Sequence, residues 1–62
     1  MITEEDFEYA LIDSIFEFDG IKSVETFESA GMLTNNRGLV VRFDNGDEFQ
    51  VTIVQTREGN YD

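Results

Sequence analysis

The stretch from Gly38 to Val54 constrains this chain more than any other. Gly38-Leu39-Val40-Val41-Arg42-Phe43 and Glu48-Phe49-Gln50-Val51-Thr52-Ile53-Val54 are β-rich runs flanking Asp44-Asn45-Gly46-Asp47. Asn-Gly between two such runs signals a hairpin. Side-chain alternation then selects the loop length. A two-residue Asn45-Gly46 turn would pair Phe43 with Glu48 and Val41 with Gln50, mixing apolar and polar groups on one face. A three-residue loop, Asp44-Asn45-Gly46, pairs Arg42 with Glu48, Val41 with Phe49 and Leu39 with Val51. Leu39, Val41, Phe43, Phe49, Val51 and Ile53 then share one face. The expected structure is therefore the three-residue loop, with Gly46 in the left-handed region of a bulged turn.

Upstream, residues 4–18 carry helical periodicity. Thr3 suits the N-cap, and Glu4, Glu5 and Asp6 place negative charge at the positive end of the helix dipole. Phe7, Leu11, Ile15 and Phe18 form one continuous face, which we assign to the core. Tyr9, Ile12 and Phe16 form a second apolar group about half a turn away. A wrapping sheet or loop could cover it, or it could receive a partner. Asp6, Asp13 and Glu17 line an acidic face with no basic neighbour. Gly20 marks the stop.

Residues 21–27 read as a strand, because Val24, Thr26 and Phe27 favour one and an isolated hairpin is marginal. The Ile21, Val24 and Phe27 spacing also suits a short helix. Residues 30–38 form a long connection from which Met32 and Leu33 could tuck under the sheet. Residues 56–62 read as a frayed tail on which Tyr61 could dock. The expected fold is α+β: residues 1–62 as one small acidic domain, with one N-terminal helix on a three-stranded antiparallel sheet in the order α-β-β-β.

Charge bears on function more than any motif does. The formal net charge is -10, with no histidine or cysteine. Direct nucleic-acid binding is disfavoured, since phosphate affinity comes from Lys and Arg. A cationic partner is favoured. Without cysteine or histidine, disulfides and zinc sites of the usual type are excluded. Asp44-Asn45-Gly46-Asp47-Glu48 is too short for a helix-loop-helix calcium loop and is flanked by strands. Ser14, Ser23 and Ser29 have no histidine base, and Lys22 is the only lysine. No catalytic residue, metal site or cofactor is expected. No apolar run approaches the ~20 residues that span a bilayer, and Met1-Ile2-Thr3-Glu4-Glu5-Asp6 is unlike a secretory leader, so a cytoplasmic location is expected. A chain of this length buries only about 60% of the surface it exposes when unfolded. Association with a partner or a second copy is one common remedy.

In size, charge and compactness the chain resembles the small acidic proteins with which phages inhibit host nucleic-acid enzymes and defence systems, including DNA mimics and anti-CRISPR proteins. The resemblance is to a class and carries over no residue roles. It implies a non-enzymatic inhibitor that binds the basic surface of a nucleic-acid-handling protein. The expected contacts are Glu5, Asp6, Asp13 and Glu17 on the helix and Asp44, Asp47 and Glu48 at the hairpin tip, with Tyr9 or Phe16 as apolar anchor. The alternative is a structural or accessory subunit acting as a homodimer through Tyr9, Ile12 and Phe16, or through the open sheet edge.

Overall fold

The computed structural model describes residues 1–59. Helix α1 (Glu4–Ile15) is followed by strands β1 (Ile21–Thr26), β2 (Arg37–Phe43) and β3 (Glu48–Ile53). The strands form one antiparallel sheet in the order β1-β2-β3. This is the expected α-β-β-β fold.

The hairpin adopts the register that side-chain alternation requires. Arg42 pairs with Glu48, Val41 with Phe49 and Leu39 with Val51. The Gly46 amide donates to the Phe43 carbonyl at 3.0 Å, and the Phe43 amide donates to the Asp47 carbonyl at 2.8 Å. Gly46 has φ 96°, a conformation that costs a residue bearing a Cβ about 1–2 kcal/mol. β1 pairs with β2 from Ile21↔Phe43 to Thr26↔Leu39, with a register shift between Ile21 and Ser23.

Helix α1 starts where its capping signal lies. The Thr3 hydroxyl accepts from the Asp6 amide at 3.1 Å, and the Asp6 carboxylate accepts from the Thr3 amide at 3.0 Å. This reciprocal box satisfies two amides that a helix start leaves without partners. The helix ends at Ile15, three residues earlier than its periodicity suggests. Turns through Glu17 and Phe18 then lead to Gly20, whose φ is 83°.

The core is centred on β2, where Leu39, Val40 and Val41 are buried together with Phe27 and Ile53. Each fully buried side chain of this size contributes about 1.5–3 kcal/mol. Leu39 and Val41 lie on the helix side and Val40 on the other. On that second face Val40 lies opposite Glu25 and Gln50. Arg42, the next residue along the face, spans to Glu25 and to Glu48, both at 2.8 Å. Those two carboxylates, Glu25 first, hold the guanidinium above its ordinary pKa range. The Phe27 ring occupies the space where Gly38 would carry a Cβ.

The helix is turned from the expected face. Phe7 and Phe18 are exposed, whereas Glu8, Leu11, Ile12 and Ile15 face the sheet. Glu8 is only 2% exposed. The two apolar groups straddle Glu8, and the helix settles between them because Arg37 of β2 reaches Glu8 at 3.5 Å and Glu5 at 3.0 Å. Of the second apolar group, Ile12 joins the packed side, while Tyr9 and Phe16 stay exposed. The helix lies mainly over β1 and β2, so on the inner face of β3 Ile53 is buried and Val51 half-buried, while the Phe49 end is left open. Phe49, on the expected face, is for that reason 56% exposed. Leu33 is fully exposed, against the expectation that it tucks under the sheet, while Met32 is half-buried. Residues 56–59 have no regular secondary structure, and Tyr61 lies outside the described residues.

Candidate interaction surface

The end of α1 and the tip of the hairpin meet. The Asp44 amide donates to the Gly20 carbonyl at 2.8 Å, fixing the hairpin turn against the α1–β1 turn. Beneath this contact the Phe43 ring packs edge-to-face with Phe18 on one side and with Phe49 on the other, at centroid distances of 6.3 and 5.8 Å. Phe18 is 70% exposed. Three aromatic rings thus form a strip at one end of the molecule with its two outer members open to water.

Most of the carboxylates on the elements that carry this strip have no internal partner among the described residues. Among the described residues, Arg37 neutralises Glu5 and Glu8, and Arg42 neutralises Glu25 and Glu48. Glu4 accepts from the Gln55 amide, Asp6 from the cap, and Asp47 from the Asn45 side chain. Among the described residues, Asp13, Glu17, Asp19 and Asp44 take part in no ion pair or side-chain hydrogen bond. All four lie on the last helical turn, the turn after it, or the hairpin tip. Glu28 and Glu58 are also unmatched, but sit apart from that end. Asp13, Glu17 and Asp19 also gather at the negative end of the helix dipole, where cations are favoured, and the last turn holds no basic residue.

The structure divides the expected contact residues. Asp13 and Glu17 lie on the last helical turn and the turn after it, and Asp44 and Asp47 on the hairpin tip that the Asp44–Gly20 hydrogen bond holds to that end. Glu5 is paired with Arg37 and Asp6 closes the cap at the opposite end of the helix, its carboxyl held below its ordinary pKa by the Thr3 amide and hydroxyl. Glu48 is turned to Arg42 on the other sheet face. Tyr9 and Phe16 are exposed, while Ile12 is half-buried. Sequence reasoning missed Asp19, Phe18 and Phe49 as surface features. The two phenylalanines fit an apolar face, and only the early end of α1 and its offset from β3 uncover them.

Two recesses flank the helix. One, of about 320 Å³, lies between α1 and β3 and is lined by Ile2, Phe7, Leu11, Val51, Ile53 and Val54, among others. The other, of about 310 Å³, holds Glu8 and Arg37 over Phe27 and Met32. In it the acid and base neutralise each other. No group of three metal-ligating side chains converges among the described residues, and no helix among them is long and apolar enough to cross a membrane. Comparison with protein families, with curated proteins and with solved structures finds no match.

Proposed function

We propose that this chain is a non-enzymatic binding module that presents its helix C-terminus and hairpin tip to a Lys- and Arg-rich protein surface. The uneven compensation of charge carries this reading. Both strand arginines are spent on other carboxylates, leaving Asp13, Glu17, Asp19 and Asp44 unmatched among the described residues on the elements that carry exposed Phe18 and the hairpin tip. Carboxylates at a dipole terminus that repels them gain most from an external cation. An adjoining aromatic face accepts an arginine by cation-π contact or a small apolar anchor. Basic surfaces of this kind hold nucleic acid, so occupying one displaces DNA or RNA. The module would then act as an acidic mimic and inhibitor.

Titration with deca-arginine, followed by amide chemical shifts, tests this reading. The expected shifts concentrate in residues 13–20 and 43–49. Equal perturbation around Glu28 and Glu58 would contradict it, since diffuse attraction to a polyanion requires no particular site. In a functional assay, the protein should displace duplex DNA from a basic DNA-binding protein.

A second reading, a small structural or accessory subunit that pairs with itself, is favoured by a separate observation at β3.

A further inference from the structure

We infer that β3 is a self-pairing edge, joining a second copy of this chain antiparallel across a two-fold axis to make a continuous six-stranded sheet. The inference adds an interface to the homodimer reading and does not depend on the cationic-surface proposal. It rests on the difference between the two edges of the sheet. Natural edge strands are protected by charge, proline or a bulge against pairing with other chains. β1 has such protection: its register shifts between Ile21 and Ser23, and it carries Lys22 and Glu25. β3 has none of it. Its ladder to β2 is regular, and residues 49–56 contain no charged residue and no proline in a chain whose net charge is -10.

The hydrogen-bond phase identifies the groups available for pairing. The Phe43 amide donates to the Asp47 carbonyl, so alternation turns the backbone groups of Phe49, Val51 and Ile53 toward β2. Those of Glu48, Gln50 and Thr52 point outward at the free edge. A two-fold axis through Val51 sets Gln50 opposite Thr52 of the second copy and Phe49 opposite Ile53. Exposed Phe49 and the apolar groove beside Phe7 then face their counterparts across the axis, extending the inner face of both sheets.

Charge selects a second copy as the occupant. Arg57 takes part in no ion pair among the described residues. Continuing that register past the end of β3 at Ile53 would bring it opposite Asn45 of the second copy, within the acidic turn from Asp44 to Asp47. The uncharged stretch 49–56 lies along the seam, and each end of the seam joins a cation to an acidic tip. Such an isologous arrangement closes without leaving a β3 edge free.

Sedimentation equilibrium of the full chain tests this, with folding checked by circular dichroism. The wild type is expected to be a dimer that tightens as salt screens the repulsion between copies. Proline at position 50 removes only an outward amide and leaves the β2 ladder intact. Gln50→Pro should therefore give a folded monomer. The double variant Gln50→Glu, Thr52→Glu sets like charges across the axis and should also be monomeric, with no change to the backbone. Phe16→Ser should remain dimeric, and Arg57→Glu should weaken pairing about tenfold. A monomeric wild type at high concentration, or a dimer unchanged by the double variant, would overturn the inference. An Arg57→Glu dimer of undiminished strength would overturn the register through Val51.

Discussion

Arg37, the first residue of β2, reaches 3.5 Å from the Glu8 carboxylate, and that pairing lets an acidic residue occupy the middle of the helix face that packs on the sheet. Glu8 is nearly inaccessible while Arg37 keeps much of its guanidinium in water. The two partners should therefore respond differently to mutation. Arg37→Ala strands a buried carboxylate and should destabilise the fold by about 2–4 kcal/mol in urea unfolding, somewhat less than for a wholly buried pair. Glu8→Leu removes the charge and fills the same space, and leaves Arg37 its contact with Glu5. It should be neutral or stabilising, as apolar replacement of buried ion pairs often is. Equal losses from the two variants would mean that the pair itself stabilises the fold.

Gly38 offers a sharper test of packing. A Cβ there would overlap both the Phe27 ring and the Val51 carbonyl oxygen. The ring could turn, but the carbonyl belongs to the ladder. Gly38→Ala should cost about 3 kcal/mol or more, at or above the upper end of typical overpacking penalties. Gly59→Ala, where nothing lies within contact, should leave the melting temperature unchanged.

The N-terminal cap sets an acid limit on stability. Thr3→Ala should cost about 1 kcal/mol. The Asp6 pKa is lowered from 3.8, first by the Thr3 amide and then by its hydroxyl. A carboxyl whose folded pKa is depressed stabilises the fold above its unfolded pKa, and that contribution is lost as pH falls through the folded one. The stability difference between wild type and Asp6→Asn should thus be constant above about pH 5 and shrink as pH falls below 3.8 toward the lowered value. Urea midpoints from pH 6 to pH 2 would show it. A difference that grows on acidification would have the wrong sign.

Salt should separate the two interfaces. Association through the acidic end should weaken steeply between about 0.05 and 0.5 M salt, mostly through a slower on-rate. Pairing along the neutral β3 edge should persist or tighten over that range. Stopped-flow binding and sedimentation on the same samples would distinguish them.

Elements governed by local chemistry were legible in the sequence. The Thr3 cap, the three-residue loop, Gly46 and the Arg42–Glu48 pair each follow from residues close in the chain or locked by alternation. The burial of Glu8 was not legible, because an amphipathic pattern counts any carboxylate as solvent-facing. Its partner Arg37 arrives from a strand far along the sequence. The second arm of Arg42, to Glu25, likewise depends on how β1 pairs after its irregularity near Lys22. For the candidate surface, Asp13, Glu17, Asp44 and Asp47 could be named from charge alone. The Phe18–Phe43–Phe49 strip could not, because apolar spacing gives no sign that the helix stops at Ile15 and leaves the Phe49 end of β3 uncovered.

The central claim is that the position of the unmatched carboxylates, rather than the total charge, creates the binding surface. Two variants of equal net charge test it most directly: Asp19→Asn with Asp44→Asn, and Glu28→Gln with Glu58→Gln. Their affinities for deca-arginine would be measured by calorimetry at low salt. Losing Asp19 and Asp44 should weaken binding about tenfold, while losing Glu28 and Glu58 should change it by about twofold or less. Equal weakening in the two variants would contradict the account.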